Sequence, residues 1–71
     1  MAIHRQLAMC RRLKYLRDQK GYTQKAVADY LNISQAAYSR LEKGEIEISF
    51  SKLLAMSEFY RLSISDLLTG I

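Results

Sequence analysis

The sequence predicts an all-α fold, a compact five-helix bundle in one domain, and three observations carry that prediction. Apolar residues recur at helical spacing in five segments, roughly 5–19, 24–31, 35–43, 50–60 and 64–69. Four of these open with one device: a hydroxyl residue able to cap a helix, with an apolar residue before it and another four positions after it. The sets are Tyr22-Thr23-Val27, Ile33-Ser34-Tyr38, Ile48-Ser49-Leu53 and Leu62-Ser63-Leu67. Proline is absent, and 49% hydrophobic with 25% charged residues suits short amphipathic helices around a small core. A chain of 71 residues is one domain at most, 1–71, and its core is marginal enough that oligomerisation would help it.

The first helix places Cys10 near the apolar positions Leu7 and Leu13 and must end at Gly21. The second starts behind Thr23 and turns Val27, Ala28 and Leu31 inward. It stops at Asn32, one of the few non-glycine residues that tolerate the left-handed conformation of a helix end. Ser34 caps the third helix only two residues later, so Asn32 to Ser34 is a tight corner. Ala28 faces the third helix across it, where a larger side chain would prop the two apart. At about 100° per residue the third helix puts Tyr38 and Leu41 on one side and Gln35, Ala36, Ser39, Arg40 and Lys43 on the other. This outer arc is cationic and rich in hydrogen-bonding groups; on an arbitrary helix it would be a plain solvated face. Gly44 ends the helix. Ser49 opens the fourth, and Ser63 opens the fifth, with Asp66 placed to complete a capping box.

Charge separates the halves. Net charge is +4 and the sequence pI about 9.5, above the pI of about 9 that marks many nucleic-acid binders. Residues 1–44 hold nine cations and three anions, and residues 45–71 two cations and four anions, so the positive charge accompanies the two-helix corner. Catalysis and metal binding find no support. His4 is the sole histidine and Cys10 the sole cysteine, so neither a metal cluster nor an internal disulfide can be assembled; a Cys–His pair is conceivable on paper, but Cys10, near apolar positions, reads as a small buried thiol rather than a nucleophile. His4 is read as a surface residue, and Tyr15, Tyr30, Tyr38 and Tyr60 as core or rim. No apolar run is long enough to cross a bilayer, and arginines 5, 11 and 12 interrupt the only stretch that could act as a secretory signal. A cytoplasmic protein with no cofactor, membrane or small-molecule partner is expected.

Gln24 to Gly44 resembles the phage-repressor or Cro-like helix-turn-helix regulators, the Xre family, and the resemblance covers nearly the whole chain, with Ser49 to Leu68 similar to the family's last two helices. Thr23-Gln24 is similar to the start of the family's first motif helix, Val27-Ala28 to its packed pair, Leu31-Asn32-Ile33-Ser34 to its turn, and Gln35 to Gly44 to its recognition helix with the closing Leu-Glu-x-Gly. The resemblance implies a lambda-repressor-like domain with the helix-turn-helix at helices two and three. It also implies a double-stranded DNA-binding regulator of repressor type, acting as a homodimer on a two-fold operator. Carried over residue by residue, it makes Gln35, Ala36 and Arg40 base-contacting. Gln35 would read adenine, Ala36 touch a thymine methyl, and Arg40 reach guanine or a phosphate. Gln24, Lys25, Ser39 and Lys43 become phosphate contacts, and Arg17 and Glu42 an ion pair tying the first helix to the end of the recognition helix.

Three features depart from the family pattern. Glu45 and Glu47 follow the recognition helix where relatives usually carry polar or basic residues, and could repel phosphate. Arg61 stands where relatives usually have glycine, implying strain if the left-handed conformation is kept. Residues 1–8 form an N-terminal extension in which Arg5 could touch DNA or a partner. Ile64, Leu68 and Ile71 are candidates for the dimer interface, against the alternative that they close the monomer core. A protein-interaction module on the same fold, of antitoxin or coactivator type and using the acidic C-terminal half, is the competing function.

Overall fold

The computed structural model describes residues 2–69, with side chains from residue 7 onward. Five helices follow one another: α1 (Ala2–Lys20), α2 (Gln24–Leu31), α3 (Gln35–Glu42), α4 (Phe50–Tyr60) and α5 (Ile64–Leu67). Order and type match the sequence reading, while four boundaries shift, the end of α1 by a single residue to Lys20. Helix α1 begins three residues earlier than expected, and α3 stops at Glu42, with Lys43 as its C-cap. The fifth helix is a single turn where six residues were expected. Arg12 of α1 explains the early stop, since its guanidinium donates to the carbonyls of Asp66 and Leu67 at 3.1 Å each.

Helix starts follow the sequence closely. Thr23, Ser34, Ser49 and Ser63 each hold extended backbone, and each accepts the amide three residues on, from Ala26, Ala37, Lys52 and Asp66. Such caps stabilise by about 1 kcal/mol apiece. The first four helix ends share a second device, a left-handed residue at Gly21, Asn32, Gly44 and Arg61 with φ between 57° and 78°. After each, the next amide reaches back to the carbonyl five residues earlier: Tyr22 to Arg17, Ile33 to Ala28, Glu45 to Arg40, Leu62 to Ser57. This double closure satisfies carbonyls that a bare helix end would strand. Glycine is favoured at Gly44 on two counts, the positive φ and the space, because a Cβ there would lie 3.1 Å from Leu7 Cδ2 and press it aside by a few tenths of an ångström. Arg61 takes the same conformation with a full side chain, so the strain expected from its sequence position is present.

The core joins all five helices: Cys10, Leu13 and Leu16 from α1, Val27, Ala28 and Leu31 from α2, Tyr38 and Leu41 from α3, Met56 and Tyr60 from α4, and Leu67 from α5, with Ile48 from the α3–α4 loop. Helix α3 packs on α1 and α2, α4 on α2, and α5 on α4. Ala28 is wholly buried, which is why the α2–α3 corner can close. Lys52 Nζ donates to the Leu31 carbonyl at 3.3 Å and so fastens α4 to the end of α2.

Candidate nucleic-acid interface

The pointing of α3 is fixed from within. Ser34 sets where the helix begins, and the buried Tyr38 and Leu41 set its rotation. Gln35, Ala36, Arg40 and Lys43 consequently lie exposed on the outer arc, with Ser39 half-buried beside them. With its side chains an α-helix is a rod about 10–12 Å across, close to the width of the B-DNA major groove, and the eight residues of α3 make it about 12 Å long. The spacing argument and the structure agree on which residues share this face.

Behind it lies a buried polar cluster. Arg17 Nε donates to Glu42 Oε2 at 2.6 Å and Nη2 to Oε1 at 3.2 Å, while Nη1 reaches the Tyr22 carbonyl at 2.9 Å. The Glu42 side chain is 3% exposed and that of Arg17 11%. Burial alone would raise the Glu42 carboxyl. Hydrogen bonds from Arg17 and Gln24, with the Tyr38 hydroxyl, outweigh it and hold the group below the usual carboxylate range. The bond to Glu42 in turn holds the Arg17 proton more firmly than usual. The Tyr38 hydroxyl acts on this carboxylate electrostatically; its geometry falls short of a hydrogen bond, as does that of the buried Tyr60 hydroxyl to any group among the described residues. Burial, then the Glu42 charge, pushes Tyr60 up to about 12, so both tyrosines stay neutral. Cys10 Sγ donates to the Leu41 carbonyl at 3.2 Å, and its thiol is pushed up by burial and by Glu42, an inert setting.

Partners on the polar face differ from what spacing alone suggests. Gln24 Nε2 donates to Glu42 Oε1 at 3.1 Å, so one of its two amide hydrogens is committed inward. Lys25 meets Asp29 at 3.0 Å across one helical turn, and Arg40 Nε lies 3.5 Å from Glu45 Oε1. Lys43, Arg11, Lys14 and Lys20 have no ion pair among the described residues, whereas Arg12 is used on the carbonyls of α5. His4 and Arg5 lie outside the described side chains, and Ile71 outside the described residues. Leu68 packs against the core and Ile64 is half-buried.

Sequence reasoning missed one apolar surface. It comprises Phe50, 68% exposed, and Leu54, 44% exposed, one turn apart on α4; on another side of the helix Tyr30 and Tyr22 flank Phe59 with ring centroids 4.9 and 4.7 Å away. Of the tyrosines read as core or rim, Tyr38 and Tyr60 are core, and Tyr15 and Tyr30, about half exposed, lie at the rim. Among the described residues no group of three or more His, Cys, Asp or Glu could hold a metal ion, and no helix is long and apolar enough to cross a membrane.

Comparison with known proteins bears on this face. A helix-turn-helix family profile matches residues 13–67. The chain is 37% identical over 59 residues to the SPbeta prophage-derived uncharacterized HTH-type transcriptional regulator YonR of Bacillus subtilis, covering 83% of this chain and 55% of that protein. It is 32% identical over 65 residues to the HTH-type transcriptional regulator DdrOP3 of Deinococcus deserti, covering 92% and 50%. A third relative, the HTH-type transcriptional activator BcrR of Enterococcus faecalis, is 34% identical over 59 residues, 83% of this chain and 29% of that protein. The chain thus spans about half the length, or less, of these curated relatives. Among solved structures, the clp gene regulator ClgR from C. glutamicum superposes with a TM-score of 0.79 at 30% identity, covering 90% of this chain and 82% of that one.

Proposed function

The chain belongs to the Xre/Cro-like helix-turn-helix family, and from that premise we propose that it is a sequence-specific double-stranded DNA-binding transcriptional regulator that inserts α3 into the major groove. The observation that carries the reading is the buried anchoring of Tyr38 and Leu41, which holds Gln35, Ala36 and Arg40 outward together on a rod of groove width. Gln35 and Ala36, in the first turn, meet base edges first. The Gln35 amide matches adenine N6 and N7, the Ala36 methyl suits thymine, and the Arg40 fork suits guanine or a phosphate. Lys43, Ser39, Lys25 and the second amide hydrogen of Gln24 take phosphates.

The described residues span 30 × 24 × 21 Å, short of the roughly 34 Å between successive major-groove faces, so one copy reads a half-site and a homodimer reads a two-fold operator. The half-buried Ile64 and Leu68, with Ile71 beyond, are the surface we assign to that pairing. Repression by occupancy, in the cytoplasm where the DNA lies, requires nothing beyond this geometry. The relative named an activator shares only 29% of its length with this chain. One observation favours a second reading, a protein-interaction module: the exposed Phe50 and Leu54 on α4.

Gel shifts with a random duplex library test the proposal. Selection should enrich a palindrome with half-sites about one helical turn apart, and log affinity should fall against log salt with a slope of about −5 if the dimer engages about six phosphates. Binding that ignores salt, or a library that yields no motif, would count against it.

A further inference from the structure

The α3 end differs from its three counterparts in what the turn brings together. A left-handed cap of this kind apposes the residue that supplies the carbonyl with the residue whose amide reaches back to it, and such pairs commonly make an apolar contact. At the ends of α1, α2 and α4 the returning residue is Tyr22, Ile33 or Leu62. After α3 it is Glu45, and the residue it meets is Arg40. The Glu45 amide bonds the Arg40 carbonyl at 2.9 Å, and their side chains approach to 3.5 Å. The backbone therefore imposes the pair. Gly44 suits that backbone, since its φ of 78° disfavours a side chain and a Cβ there would press on Leu7. Glu42, the other carboxylate near the helix end, is already engaged by Arg17 and Gln24, so Glu45 is the acceptor left for Arg40.

Building on the DNA-binding reading above, we propose that Glu45 acts as a built-in competitor for Arg40 that lowers affinity for DNA. Its carboxylate occupies the guanidinium until DNA offers better-aligned acceptors. Guanine O6 and N7 present such acceptors in bidentate geometry, whereas a phosphate met out of register presents only charge. Every duplex that draws Arg40 away gives up the same pairing energy, so the competition lowers affinity without sharpening the choice of operator. The pair is exposed on both sides, 60% for Arg40 and 52% for Glu45, so its effect is a modest bias that DNA can overcome. A general repulsion of phosphate by the acidic loop would act alike through Glu45 and Glu47. Competition acts through Glu45 alone and only while Arg40 is present.

A double-mutant cycle separates the two mechanisms. Fluorescence anisotropy with a labelled random-sequence duplex is recorded for the wild type, Glu45→Gln, Arg40→Ala and the double variant, with Glu47→Gln as control. Glu45→Gln should tighten binding by about two- to fivefold and the gain should vanish when Arg40 is alanine. In the DNA-free protein, the Arg40 Nε–H resonance should move on Glu45→Gln and stay in place on Glu47→Gln. An equal gain in both Arg40 backgrounds, an equal gain from Glu47→Gln, or an unmoved Arg40 resonance overturns the competitor role while leaving DNA binding intact. Failure of all five proteins to bind any duplex overturns the DNA-binding reading, and the competitor role with it.

Discussion

Replacing Arg17 with methionine should cost the domain about half its stability. The substitution removes the bonds to Glu42 at 2.6 and 3.2 Å and leaves a carboxylate whose side chain is 3% exposed with only the Gln24 amide as hydrogen-bond donor. Breaking a buried pair from one side costs about 3–5 kcal/mol, and a domain of this length holds roughly 4–10 kcal/mol in all. Adding Glu42→Leu should recover most of the loss, because the stranded charge leaves with its partner.

The pH dependence carries a sign that packing loss alone cannot give. In the wild type the Glu42 carboxyl is depressed on folding. Its contribution is therefore fully present above the unfolded value of about 4.3 and is lost as pH falls through the lower folded value. In Arg17→Met the carboxyl is buried without its counter-charge and titrates above about 4.3, so the folded state binds the proton more tightly and the deficit shrinks as pH is lowered from 7 towards 5. Urea denaturation of the two single variants and the double variant at these pH values gives the full cycle. Additive losses below about 1 kcal/mol, unchanged by pH, would refute the buried-pair account.

Other consequences follow from particular residues. Gln35→Ala should cost roughly 1–3 kcal/mol on the selected operator and relax preference at one base pair per half-site, while Lys43→Ala should weaken operator and random duplex alike; anisotropy titrations on both would separate them. Arg61→Gly should raise stability by about 0.5–1 kcal/mol, the relief of a left-handed side chain of about 1–2 less the entropy that glycine adds to the unfolded chain, read as a higher thermal midpoint. Tyr60→Phe should be neutral or stabilising within about 1 kcal/mol, since it removes a buried hydroxyl that has no hydrogen bond, and a large loss in urea melts would show that the hydroxyl has a partner.

Local chemistry made much of this fold legible. Thr23, Ser34, Ser49 and Ser63 announced their helices because a cap and its flanking apolar pair are read within six residues, and Asn32 and Gly44 announced the ends for the same reason. The outer arc of α3 followed from the spacing of Tyr38 and Leu41. Long-range partners did not follow. Arg12 counted as surface charge until the fold brought the carbonyls of α5 to it, more than fifty residues away in sequence. Gln24 was assigned to phosphate, yet nothing in its neighbourhood in the sequence foretells that Glu42 claims one of its hydrogens. Phe50 and Leu54 went unnoticed because α4 is apolar on several faces, and periodicity cannot say which of them stays uncovered.

Whether α3 meets DNA is read from a titration of 15N-labelled protein with the selected duplex, followed by amide chemical shifts. The largest shifts should fall at Gln24, Lys25 and Ser34 to Arg40, with the Gln35 side-chain amide moving alongside them. Shifts confined to Phe50, Leu54 and the rest of α4, with α3 unmoved at saturation, would contradict that contact.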